Sequence, residues 1–112
     1  MTEGPALARQ EHRGTELHLL LLPEHRLRVE QLLRDVHELE GRKDVRNFAP
    51  EALPSEFTIT RMLLEELCKN GEVNFHEFSL RDEIKSPLGD GSISSSYLIA
   101  VGQTLRMLNI TE

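Results

Sequence analysis

The chain has no tryptophan, and its aromatic content is one tyrosine and four phenylalanines in 112 residues. Any core it builds must therefore be mainly aliphatic. Cys68 is the single cysteine, which excludes an intrachain disulfide. Long apolar runs are also missing. None, Leu19 to Leu22 included, approaches the roughly 18–20 residues that span a bilayer as a helix. The N-terminal stretch does not read as a signal peptide, because Glu3 and Glu11 precede the leucines and no small-residue cleavage site follows them. Together these absences lead to the expectation of a reducing, cytoplasmic setting without a membrane anchor. Asn109-Ile110-Thr111 matches a glycosylation acceptor, which in that setting is a chance match.

What is present is globular in character: 38% hydrophobic and 29% charged residues. Residues 1–14 are polar, with Gly4, Pro5 and Gly14, and are expected to form a mobile arm ahead of a single domain over 15–112. The formal charge is −6, from 13 basic and 19 acidic residues. Such a chain is repelled by nucleic acid and anionic lipid unless its cations cluster. Here they are interleaved with acids, as in Arg26, Arg28 and Arg34 among Glu24, Glu30 and Asp35. Even the densest patch, Arg42, Lys43 and Arg46, contains Asp44.

The stretch from Thr15 to Leu22 fits either a buried strand, by the alternation of Leu17, Leu19 and Leu21, or a short capped helix. From Pro23 to Glu40 the spacing of Val29, Leu32, Leu33, Val36 and Leu39 predicts one helix, with Pro23 and Glu24 suited to its first turn and Gly41 to its end. A connector over 41–54 follows, with Val45, Phe48 and Leu53 expected to pin it to the core. Ser55 is placed to cap a second helix that runs to the Asn70-Gly71 stop, with Ile59, Met62, Leu63, Leu64 and Leu67 on its apolar face.

The last third admits two readings. In the preferred one, Val73 to Phe75 is a short strand, Ser79 caps a short helix with Leu80 and Ile84, and 87–92 is a turn. A third long helix then starts at Ser92 or Ser94, with Tyr97, Ala100, Val101, Thr104, Leu105 and Leu108 on one face. In the other, 73–85 and 93–105 are the strands of a hairpin, on which two helices pack. The expected fold class is thus helix-dominated α+β with a small three-helix core. The element order in the preferred reading resembles that of a winged helix, which implies a recognition role for the last helix. That helix carries one positive charge, Arg106, too few for the phosphate contacts that supply most DNA affinity.

No pattern of reactive residues stands out. His25 and His37 are too far apart to share a helical face as metal ligands, and Cys68 has no second thiol near it. The serines near 92–96 lack a nucleophile elbow, and Gly89-Asp90-Gly91 lacks the lysine of a phosphate loop. Glu65 and Glu66, being adjacent on a helix, do not face each other. The expectation is a protein without catalytic, metal or cofactor residues: a small acidic subunit, adaptor or immunity-like or antitoxin-like inhibitor that meets a more basic protein. A homodimer is compatible with this reading, and a DNA-associated regulator is the alternative. The densest acidic stretch, Glu72, Glu77, Asp82, Glu83 and Asp90, supplies the candidate contact residues.

Overall fold

The computed structural model of the chain describes residues 5–44, 55–85 and 95–110. Three strands form one antiparallel sheet in the order β1-β2-β3: β1 at Ala8–Arg13, β2 at Glu16–Leu21 and β3 at Glu72–Asn74. Four α-helices accompany it: α1 at Arg26–Asp44, α2 at Glu56–Asn70, the short α3 at Phe75–Ser79 and α4 at Ser95–Met107. The fold is helix-dominated α+β.

Within the stretch 1–14 read as a mobile arm, residues 8–13 form β1 instead. Residues 8–13 pair with β2 from Ala8↔Leu21 to Arg13↔Glu16. Gly14 and Thr15 are left as a two-residue turn. Gly14 has φ +66, and a glycine at the first position of such a turn matches the type II′ geometry that fits the strand twist. The ambiguous stretch before Pro23 is therefore strand. Its odd-numbered residues face the core, with Leu19 and Leu21 buried and Leu17 packed at the edge.

α2 is the hub. It packs against α1 on one side and α4 on another, and it touches β2 and β3. Ser55 caps it by accepting the Thr58 N–H at 3.2 Å. Gly71 ends it at φ +78, its N–H donating to the Leu67 carbonyl at 2.8 Å. Ile59, Leu63, Leu64 and Leu67 are fully buried between those caps. α1 enters through a 3-10 turn, Pro23–His25, and runs through Gly41 to Asp44, beyond the stop read at Gly41. A mid-helix glycine weakens a helix by about 1 kcal/mol, which is not enough to terminate it.

The hairpin proposed for 73–85 and 93–105 is not formed. Its first arm divides into β3, α3 and a 3-10 turn at Asp82–Ile84, and its second arm is α4. The short helix also lies earlier than expected. Asn74 caps α3 by accepting the Glu77 N–H at 3.1 Å, while Ser79 ends it rather than starting it. On α4, Tyr97, Ala100 and Thr104 are buried, as their spacing predicts. α4 closes with a left-handed Asn109 (φ +59): Asn109 N–H donates to Arg106 O and Ile110 N–H to Leu105 O, the paired bonds of a Schellman ending. The element order α2, β3, α3, α4 is that of the winged-helix layout, yet the described hairpin, β1–β2, precedes the helices. It reaches the end of α4 through Leu7, whose N–H donates to Leu108 O at 2.8 Å, while Asn109 Nδ2 donates to Pro5 O at 3.2 Å. The expected pins Val45, Phe48 and Leu53 and the turn at 87–92 lie outside the described residues.

Candidate functional site

Of the five candidate acids, Glu72, Glu77 and Asp82 can be placed with their side chains. Glu72, on β3, lies between two side chains of the sheet: its Oε2 is 3.8 Å from Arg13 Nη1 and 3.8 Å from His18 Nδ1. Asp82 is fully exposed but lies 3.8 Å from Lys85 Nζ. Glu77 is exposed in the first turn of α3, where its charge suits the positive end of the helix. Glu83 is the middle residue of the 3-10 turn at Asp82–Ile84, and Asp90 lies outside the described residues. Two of the five are thus partly neutralised by neighbours, and Arg13, the partner of Glu72, comes from the segment read as a mobile arm.

A different surface stands out on α4. Leu98 is 63% exposed and Ile99 48% exposed, side by side on the helix turn that follows Tyr97. Leu98 borders a groove of about 380 Å³ between the start of β2, α3 and α4, with Leu17, Phe75, Tyr97 and Val101 as its apolar lining. Thr15, Glu16, His76 and Ser79 form its polar margin. The groove is held open by specific bonds. The buried Tyr97 hydroxyl donates to Phe75 O at 3.0 Å, and the Tyr97 ring stacks on Phe78 with centroids 6.0 Å apart. Burial pushes the Tyr97 phenol up to about 12. Sequence reasoning placed the inner face of α4 correctly but gave no role to Leu98 and Ile99. Their signal was legible as two large apolar residues off the buried i, i+3, i+4 face.

Cys68 is buried, and burial, followed by the nearby Glu30, pushes its thiol up, while Arg26 pulls the other way. A thiol shifted in that direction is a poor nucleophile at neutral pH. The hollow of about 540 Å³ beside it is lined by Arg26, Lys69 and Arg81 against Glu65 and Glu66. Its guanidiniums are already engaged: Arg26 donates to Cys68 O at 2.6 Å, and Arg81 pairs with Glu66 at 3.3 Å and stacks over Phe78. Among the described residues, no group of three His, Cys, Asp or Glu side chains could hold a metal ion, and no helix is long and apolar enough to cross a membrane. Compared with known proteins, the chain matches no family model, no curated protein and no solved structure.

Proposed function

We propose that this chain is a non-catalytic protein-binding module, an acidic subunit, adaptor or inhibitor, that receives a basic protein partner on the α4 groove. The observation that carries the reading is the pair Leu98 and Ile99, exposed beside a groove with an apolar lining. Exposed large apolar side chains next to a concave apolar surface, rimmed by polar groups, are what a protein partner buries. The formal charge of −6, with Glu16 on the rim and Glu77 one residue from His76, favours a partner of opposite sign and speeds its approach. The same helix offers DNA only Arg106, in its last turn, so the reading as a DNA-associated regulator rests on element order alone.

The test is affinity purification with the intact chain and with Leu98→Ser/Ile99→Ser, followed by mass spectrometry and a direct binding measurement on the recovered protein. The proposal expects a basic protein that binds the parent chain, weakens as salt rises, and is lost from the variant while the variant keeps its fold. Binding that survives the double substitution moves the contact off α4. Salt-sensitive retention of DNA by the parent chain, with no protein recovered, favours the regulator instead.

A further inference from the structure

β1 is an edge strand. The sheet order β1-β2-β3 leaves one side of it without a neighbouring strand among the described residues. Its two-residue turn sets the phase of its hydrogen bonds. The residues flanking such a turn, Arg13 and Glu16, exchange the closing bonds, so Glu11 with His18 and Arg9 with Leu20 do the same further along. The Leu22 N–H that donates to Leu7 O at 3.2 Å keeps that phase at the far end. The alternate residues, Ala8, Gln10 and His12, therefore turn their N–H and C=O groups outward. Among the described residues no backbone bond from outside the sheet reaches any of them, and the nearest, from Leu7 N–H to Leu108 O, stops one residue short. The Gln10 side chain is half-buried and makes no hydrogen bond to a described residue.

An unpaired edge is a template for another strand, and the charges along it restrict which strand it accepts. We propose that β1 pairs antiparallel with β1 of a second copy of this chain, about a two-fold axis at Gln10, so that the two sheets become one. On its outer face the strand carries Arg9, Glu11 and Arg13 in alternating sign. With the axis at Gln10, Ala8 meets His12 of the second copy and Arg9 meets its Glu11, each twice over by symmetry. The Arg9–Glu11 pairs fall at non-hydrogen-bonded positions, where facing side chains come closest. Within one copy Glu11 is held by Arg13 at 3.1 Å and more loosely by Arg9 at 3.5 Å; pairing keeps the first and exchanges the second. Moving the axis by one residue sets like charges together, either Arg9 against itself or Glu11 against itself with Arg9 against Arg13. An axis at His12 returns Glu11 to an arginine but runs Gln10 against Gly14, whose φ of +66 belongs to the turn. The Gln10 register alone satisfies both the charges and the backbone. It also brings two Gln10 amides together across the axis, each with a donor and an acceptor for the other. β3, the opposite edge, has three residues and leads directly into α3, so it offers no comparable template. The pairing rests on β1 and is independent of what the α4 groove receives.

The experiment is sedimentation velocity over a concentration series, with the full chain and its variants. Gln10→Pro removes an outward N–H without touching the bonds to β2, so it should keep the parent's circular dichroism and weaken dimerisation by at least about tenfold. Arg9→Glu and Glu11→Arg should each weaken it as well, by setting like charges across the axis. Mixed in equal amounts, those two variants should dimerise with each other to within about threefold of the parent, because the acids of one then face the arginines of the other. That recovery is beyond the reach of variants that have merely misfolded. A parent chain that stays monomeric up to its solubility limit overturns the proposal. So does a dimer that survives Gln10→Pro, or a mixture that stays monomeric although each variant is folded. A dimer abolished by Leu98→Ser/Ile99→Ser and not by Gln10→Pro overturns it too, and puts the contact between copies on α4.

Discussion

The two seams of α2 are built from different materials. Along α1 an arginine holds each end, in an ion pair at one and on a backbone carbonyl at the other. Arg61 Nε reaches both oxygens of the buried Glu40 at 2.9 and 2.8 Å, and Arg61 also pairs with Glu65, while Arg26 clasps the far end of α2 at the Cys68 carbonyl. Burial alone lowers the Arg61 pKa, but the two carboxylates outweigh it and the net shift is upward. Along α4 the seam is neutral on the α4 side. The Thr60 hydroxyl is shared between Glu56 O at 2.7 Å and Gln103 Oε1 at 3.2 Å. The outer faces differ in arrangement. α1 shows water side-chain bonds such as Gln31 to Asp35 and Arg42 to Glu38, with the exposed Leu27 and Leu39 set apart among them, whereas α4 shows Leu98 and Ile99 side by side. Removing one partner of a charged contact strands more than removing one partner of a neutral hydrogen bond, so the α1 seam is the more sensitive of the two to loss of a polar side chain.

The sharpest way to break this comparison is to remove what both seams share. Leu63→Ala or Leu67→Ala should each cost about 2–5 kcal/mol in denaturant melts. Losses under about 1 kcal/mol at both positions would mean that α2 is not the hub described. The seams themselves should then differ. Arg61→Leu takes the guanidinium from the buried Glu40, leaving His37 Nδ1 3.4 Å away, and should cost about 1.5–3 kcal/mol, whereas Gln103→Leu should cost at most about 1 kcal/mol. Equal losses at the two sites would erase the distinction.

The α4 side has its own pH signature. The Tyr97 phenol is raised in the folded chain, so folding favours its neutral form. The stability it contributes is complete below its unfolded value of about 10 and is lost as pH climbs toward about 12. Tyr97→Phe should cost about 1 kcal/mol at neutral pH, by stranding the Phe75 carbonyl, and should flatten the alkaline decline measured by thermal melts. Gly71→Ala should cost about 1 kcal/mol, purely through its left-handed backbone, because nothing lies within 4 Å of the added methyl. The smallest effect is expected outside the seams. Leu98→Ser/Ile99→Ser should change stability by no more than about 0.5 kcal/mol, and a larger loss would make those residues structural.

The helices were legible because their apolar residues repeat at helical spacing between recognisable ends. Ser55 and Gly71 bound α2 in the structure as their chemistry predicts, and Tyr97, Ala100 and Thr104 mark the inner face of α4. β1 was not legible. Its core-facing residues are Ala8, Gln10 and His12, too polar to show alternation, and its pairing is supplied by β2. That one omission also hid part of the site. With β1 read as an arm, nothing could bring Arg13 to Glu72 or Glu11 beside His18. The short helix was misplaced for a local reason: Asn74 and Ser79 are both good caps, and the burial of Phe75 and Phe78 decides between them.

The hydrogen bonds from Leu7 to Leu108 and from Asn109 to Pro5 join points 104 residues apart in the chain in the latter case. In polymer terms they close a ring around nearly the whole described molecule, and holding such a ring shut costs about 4 kcal/mol of chain entropy by the logarithmic law for loops. They are clasps at the mouth of the ring, with the β1–β2 hairpin on one side and the Schellman ending of α4 on the other. Tension applied between residues 5 and 109 loads those few bonds before it reaches α2, so the strand and the helix end part first while the hub is still packed.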